Sequence, residues 1–386
     1  MRHSKLKVAV AGLGFIGPAH IEGIRRIGDQ VVGIVGATLE EAQMRAAELS
    51  IEKAYINYDE MIKDTSIDVV HICSPNYLHF SQAGQAIHAG KHVVCEKPLT
   101  VTSAESAELV ALARASKLAC AVNYNLRYYP VNYEARETVR SGELGKIHSI
   151  HGAYLQDWLL YPTDWNWRLL PQEGGALCSV ADIGSHWIDL VMFITGLKIS
   201  EVMADLGTSI PVRKRPLGNV QTFVGKLDTA QSTYEEVKVV GDDFANILFR
   251  FENGAKGSLV VSQVAAGRKN SLRYEIDGAQ SSVAWNSERV DELWRGYRDR
   301  YNAILTKDPS LMNPTARSMA SYPGGHTEGF PDTFKQLAKS VHDYIRRGDF
   351  SAETDFPTFA DGHRALLVEE AILTSAQSRQ WVSVTL

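Results

Sequence analysis

Residues 8–17 read Val-Ala-Val-Ala-Gly-Leu-Gly-Phe-Ile-Gly, a short apolar run followed by glycines at 12, 14 and 17. Glycines at that spacing carry little weight alone. Here they follow an apolar run and precede residues 18–28, which read as helix. That context makes the spacing a dinucleotide-binding fingerprint. Gly12 permits a tight turn, Gly14 lets the backbone approach a pyrophosphate, and Gly17 allows helix and strand to pack closely. The helix N-terminus offers N–H groups and a positive dipole end to phosphates, with Phe15 and Ile16 completing the loop.

The surrounding chain supports this. Apolar runs at 6–11, 31–35, 69–73, 93–95 and 118–122 are separated by helical stretches at 39–49, 79–89 and 103–116. Thr38 with Glu41 three residues on is a capping-box pattern that opens one of them. Continuous rather than alternating apolar runs predict a parallel sheet covered on both faces. After about residue 125 the texture changes. A helix at 131–141, a strand at 148–155, an aromatic stretch at 157–168 and a helix at 180–195 lead into alternating strands between 200 and 285. Asn253-Gly254 is a hairpin signal among them. Residues 296–326 read as a long loop, and helices at 328–347 and 359–377 with a strand at 381–385 close the chain. The expectation is an α/β protein. A Rossmann dinucleotide-binding domain covers 1–126. An α+β domain covers 127–386, with a large, mostly antiparallel open sheet for substrate binding and oligomerisation. The final helix, 359–377, is expected to pack back on the first domain.

Length and charge narrow the classes further. The 386 residues suggest about two domains of roughly 150 residues each. A net charge of -5 gives no reason to expect nucleic acid or an anionic membrane surface. Cys73, Cys95, Cys120 and Cys178 form no Cys-x-x-Cys pair, so free thiols are expected and a metal site is not. No apolar run reaches the ~18 residues of a membrane span. The first residues lack the apolar stretch of a secretory signal, and a cytoplasmic protein is expected.

The second strand ends Gly36-Ala37-Thr38, without the acid that binds an adenosine ribose and repels a 2′-phosphate. No arginine directly follows either, although Arg45 lies on the next helix. The choice between NAD and NADP stays open here, with NAD slightly favoured.

Chemistry-bearing residues cluster in three short motifs. They are Ser74-Pro75-Asn76-Tyr77-Leu78-His79, then Cys95-Glu96-Lys97-Pro98 after a strand, then Gly174-Gly175 followed by Asp182-Ile183-Gly184-Ser185-His186. Oxidising a secondary alcohol needs a hydride acceptor and a base, and an imidazole suits the base at neutral pH. Asp182 and His186 stand four apart and share a helix face. Lys97 lies at the carboxyl end of a strand, where open parallel sheets place their ligand crevice. A lysine there stabilises a developing alkoxide.

In order and spacing these motifs resemble the Gfo/Idh/MocA family of glucose–fructose oxidoreductases and inositol dehydrogenases, along the whole chain. The resemblance implies a catalytic set of Lys97, Asp182 and His186, with His186 as proton acceptor. It implies cofactor contacts from Ser74, Pro75, Asn76, His79, Glu96, Lys97, Asn125 and Arg168, beside Gly12, Gly14, Phe15, Ile16, Gly17, Gly36, Ala37 and Thr38. Trp158, Tyr161, Trp165 and Trp167, with Asp157 and Asp164 between them, suit a sugar, whose C–H faces the rings cover. Substrate contacts are expected from Tyr124, Arg127, Trp158, Trp165 and His326, with Lys97, Asp182 and His186. The implied function is an NAD(P)-dependent dehydrogenase acting on a secondary hydroxyl of a sugar, glycoside, anhydrosugar or cyclitol, in a homodimer or homotetramer. The alternatives are a redox-neutral NAD-dependent glycosidase and a non-catalytic nicotinamide sensor on the same fold.

Overall fold

A computed structural model describes residues 5–217 and 233–385. They divide into two compact units. The first takes the residues through Asn125 together with Phe330–Leu366, and the second Leu126–Gly329 with the residues from Leu367 on. The sequence alone places one boundary at 126/127. In the structure, the helix Phe330–Arg347 and the first eight residues of the helix Phe359–Ser378 belong with the first unit.

The first unit holds a six-stranded parallel sheet: β1 (Lys7–Ala11), β2 (Gln30–Val35), β3 (Lys53–Ala54), β4 (Val69–Ile72), β5 (His92–Cys95) and β6 (Cys120–Val122). Its order is β3-β2-β1-β4-β5-β6. The apolar runs are strands because both faces are covered. Val8, Ala9, Val10 and Ala11 are all fully buried, as are Val69, Val70 and Ile72. One core joins Ala9, Val32, Val70, Val93 and Val122 to Phe359, Ala365 and Leu366 of the last helix. The order reverses between β1 and β4, so their carboxyl ends flank a topological switch point, the usual ligand crevice of open parallel sheets.

The second unit is built on nine strands: β7 (Ile147–Leu155), β8 (Ile199–Gly207), β11 (Phe244–Phe251), β12 (Lys256–Ser262), β13 (Ser271–Gly278), β14 (Ser282–Asn286), β15 (Glu292–Gly296), β16 (Ala303–Thr306) and β17 (Val382–Ser383). Their order is β16-β15-β14-β13-β7-β12-β11-β8-β17, and β9 (Val212–Pro216) pairs separately with β10 (Tyr234–Lys238). All pairs in the large sheet are antiparallel except β7 with β12. Asn253-Gly254 turns β11 into β12, with Gly254 at φ +87.

The stretch 296–326 differs from the loop expected. It contains β16, paired with β15, and a helix Pro314–Met319. Pro314 stands at the helix start, where its missing N–H costs nothing, and Asn313 caps it by accepting from the Thr315 N–H at 3.0 Å. The four cysteines are unpaired, as the spacing predicts. Among the described residues no helix is long and apolar enough to cross a membrane.

Candidate functional site

The glycine loop leaves β1 at the switch point. Gly12 has φ +96, and a Cβ there would lie 2.4 Å from the Cys73 carbonyl carbon at the end of β4. A Cβ on Gly17 would lie 2.2 Å from the Gly12 oxygen. Around Gly14 nothing comes within 4 Å of the corresponding position. Two glycines are therefore demanded by the turn, and the third leaves an open cradle over the start of the helix Ile16–Arg26. That helix has no acid in its first turn. The arrangement fits a dinucleotide pyrophosphate.

At the end of β2 the structure adds a residue that the motif reading treats only as a cap. Glu41 Oε2 accepts from the Ala37 N–H at 2.8 Å, and a Cβ on Gly36 would lie 2.8 Å from that oxygen. Thr38 caps the following helix by accepting from the Glu41 N–H at 3.2 Å. A carboxylate thus occupies the end of β2 although the strand itself carries none. Arg45 pairs with Glu48 at 2.9 Å.

The ends of β4 and β5 are braced together. His79 is fully buried and sets its ring nitrogens against the carbonyls of Pro98 and Ser74, at 2.7 and 2.9 Å. It holds the two loops that carry Pro75, Asn76 and Lys97. The Lys97–Pro98 peptide is cis. Glu96 Oε2 accepts from the Lys97 N–H at 3.1 Å, and its Oε1 accepts from the Asn123 amide at 2.5 Å and meets His20 Nε2 at 3.0 Å. Burial alone would push this carboxyl up. The bonds and charges of His20, the charge of Lys97 and the bond from Asn123 outweigh it and hold Glu96 at about 2. Asn125 donates to Thr333 at 2.8 Å, and Tyr124 is almost fully buried.

In the second unit, Asp182 lies on a π-helical turn, Val180–Gly184, that runs into the helix Ser185–Thr195 carrying His186. Asp182 Oδ2 accepts from Gln263 at 2.8 Å, and Oδ1 lies 3.2 Å from Arg168 Nε. Arg168 also stacks on Trp167 at 4.4 Å. The Tyr154 ring stands 6.3 Å from the His186 ring. The start of the π turn is held by Asp242. This buried carboxylate accepts from the N–H groups of Cys178 and Val180 and from the Ser179 hydroxyl, at 2.7, 2.9 and 2.5 Å. Burial pushes its pKa up against those bonds.

The residues expected to meet substrate divide. Arg127 donates from Nε to Asp189 at 2.8 Å and from Nη2 to the same carboxylate, both partners buried. Its guanidinium is a brace on the helix Ser185–Thr195. Trp165 packs in a core with Leu159, Leu169, Cys178 and Val239, and Trp158 lies half-buried against it. Asp164 caps its own loop by accepting from the Tyr161 N–H at 2.8 Å, and Asp157 pairs with Lys269 at 2.6 Å. His326 is exposed on a loop anchored by the buried Lys307, which donates to the His326 carbonyl at 2.6 Å and to Glu328 at 2.9 Å.

Comparison with known proteins gives this arrangement its family. Residues 6–124 match the oxidoreductase family with an NAD-binding Rossmann fold, and 133–284 match the GFO/IDH/MocA C-terminal domain. The levoglucosan dehydrogenase of Pseudarthrobacter phenanthrenivorans is 31% identical over 98% of each chain. The chain belongs to the Gfo/Idh/MocA oxidoreductase family. A solved levoglucosan dehydrogenase in complex with NADH and levoglucosan superposes with a TM-score of 0.88, at 30% identity, over 99% of this chain and 100% of that one. The myo-inositol 2-dehydrogenase of Thermotoga maritima is 26% identical over 98% of each chain.

As a Gfo/Idh/MocA oxidoreductase, the protein carries supporting residues that its motifs do not announce. Gln263 follows β12 and reaches Asp182 from 81 residues away. Asp242 acts over 62 to 64 residues. Neither lies at a recognisable spacing from the residue it holds. Glu41 was legible as a helix cap, and only the fold shows its carboxylate beside Gly36.

Proposed function

We propose that the protein is an NAD-dependent dehydrogenase that oxidises a secondary hydroxyl of a sugar, an anhydrosugar or a cyclitol, working in the cytoplasm. The observation that carries this is the Asp182–His186 pair. The carboxylate is held by Gln263 and Arg168, and the imidazole follows four residues on along the same helical run. His186 takes the hydroxyl proton as general base. Asp182 orients the imidazole or holds a second hydroxyl. Lys97, as an ammonium, stabilises negative charge on the reacting oxygen. Bound oxidised nicotinamide supplies the acceptor for the carbinol hydride.

Gly12, Gly14, Phe15, Ile16 and Gly17 are assigned to the pyrophosphate, and Gly36, Ala37 and Thr38 to the adenosine ribose. Ser74, Pro75, Asn76, Glu96 and Asn125 are assigned to the nicotinamide half. His79 serves that half by bracing its loops. The Glu41 carboxylate at the end of β2 repels a 2′-phosphate and favours NAD. Trp158 and His326 are the proposed sugar contacts. The large sheet, which displays the exposed Leu248 and Ile304, is proposed to pack between copies in a homodimer or homotetramer.

Absorbance at the reduced-nicotinamide band tests the proposal. The panel holds levoglucosan, other anhydrosugars, pyranosides and inositols, each with NAD and with NADP. Growth of the band with NAD and one substrate group is expected. Silence across the panel, with NAD binding demonstrated separately, would sink it.

A further inference from the structure

A line of buried titratable side chains crosses the first unit, and only its first member has a role above. Glu96 Oε1 meets His20 Nε2 at 3.0 Å, and His20 Nδ1 meets His71 Nδ1 at 2.7 Å. His71 Nε2 meets His342 Nε2 at 3.3 Å, and His342 Nδ1 meets Asp29 Oδ2 at 2.7 Å. None of the five is more than 8% exposed. Every imidazole uses both ring nitrogens, so the line is unbroken from carboxylate to carboxylate.

Counting hydrogens shows what such a line can hold. It has four links, and each needs one hydrogen. Three neutral imidazoles bring three. Both end carboxyls are held ionised. Glu96 stands at about 2, and at Asp29 the bonds from His342 and Arg346 overcome burial and lower its pKa. The line is therefore filled only when it carries one excess proton. Two in-line transfers, His20 Nδ1 to His71 Nδ1 and His71 Nε2 to His342 Nε2, then move the positive charge from beside Glu96 to beside Asp29. No ring has to turn. Burial, with the flanking His20 and His342, pushes the pKa of His71 well below the histidine range, so the charge does not rest on His71. When the excess proton is absent one of the four links is empty, and the proton enters where the vacancy lies between Glu96 and His20. The Asn123 amide, 3.3 Å from His20 Nε2, is placed to donate to the vacated lone pair.

We propose that this line is a one-proton store that opens, through Glu96, beside Lys97. It rests on the dehydrogenase reading, in which each hydride transferred frees one proton from the substrate hydroxyl. A proton equivalent taken up at Glu96 passes from its Oε1 to His20 Nε2, and the two transfers follow. Glu96 is again ionised, His20 and His71 are neutral, and His342 is the cation. The same steps reversed return the proton for carbonyl reduction. The other titratable groups around the line are Lys97, Cys73 and Cys95 near Glu96, and Arg346 and His92 near the Asp29 end. Phe334 packs its ring against His20, 5.1 Å between centroids.

Two measurements test the store. Histidine-labelled protein is titrated by NMR from about pH 9 to about pH 6, across the histidine range. Ring N–H hydrogens on His20, His71 and His342 are expected to rise from three to four in one step shared by all three rings. A constant count, or one ring titrating alone, would overturn the store. On the alkaline side of that step, a single turnover is followed by nicotinamide absorbance and by a pH-indicator dye in weak buffer. The unaltered enzyme is expected to form NADH before its proton appears. His342→Gln and His71→Asn are expected to release the proton together with NADH, with NAD affinity unchanged. Simultaneous release by the unaltered enzyme, or a delay that survives in both variants, would also overturn it. If neither variant folds, the titration and the unaltered enzyme still decide. The titration needs no turnover, so a shared step without NADH formation supports the store and counts against the dehydrogenase reading.

Discussion

Replacing Arg127 by methionine separates a brace from a substrate contact. The guanidinium makes a two-point bond to Asp189, and the side chains are 9% and 3% exposed. It also lies 4.8 Å from the Phe193 ring centroid. Methionine keeps most of the hydrocarbon volume and strands the Asp189 carboxylate in a dry site. Removing one partner of a buried pair costs about 3–5 kcal/mol. For a unit of roughly 150–250 residues, ~2–4 °C of melting temperature is lost per kcal/mol. The second unit of Arg127→Met is therefore expected to melt some ~6–20 °C lower by calorimetry. Asp189→Leu should fall similarly. The double variant should recover most of the loss, because an apolar pair of similar volume is often neutral or stabilising. The Michaelis constant for substrate should move little. A variant that melts like the parent while that constant rises about tenfold, ~1.4 kcal/mol, would show that the guanidinium works on substrate.

His186→Ala should lower turnover by about 10²–10⁴-fold, the usual worth of a general base, with NAD affinity by calorimetry unchanged; unchanged turnover removes His186 from the mechanism. Glu41→Ala should shift the ratio of kcat/KM for NADP over NAD upward by at least about tenfold, roughly 1.4 kcal/mol, as steady-state kinetics with both cofactors will show. Glu96 gives a pH dependence of definite sign. Its carboxyl falls from 4.5 to about 2 on folding, so its stabilisation is present above about 4.5 and lost as pH falls through about 2. That shift corresponds to about 3 kcal/mol, and Glu96→Gln should flatten this part of an acid-unfolding curve.

Much of the first unit was legible because its signals are local. The glycine spacing, the apolar runs and the Thr38 cap each act within a few residues, and the structure places each where its spacing indicates. The Asp182–His186 pair was legible for the same reason, though its helix opens with a π turn held by Asp242. The stretch 296–326 misled because Pro314 reads as a breaker when it starts a helix, and because a four-residue edge strand such as β16 shows too little alternation. Within the aromatic stretch composition does not separate the tryptophans, whereas the structure packs Trp165 into a core and leaves Trp158 half-buried.

Residue order settled the parallel sheet, the glycine turn and the helical spacing of Asp182 and His186, because contiguous residues dictate backbone turns and helix faces whatever surrounds them. Tertiary structure decided what those elements serve. It brought Glu41 to the end of β2, Gln263 to Asp182, and Arg127 to Asp189. It returned residues 330–366 to the first unit and so set His342 against His71 and Asp29, 271 and 313 residues away. A hydrogen bond is decided within about 3 Å, and only the packing of remote segments sets a distance that short.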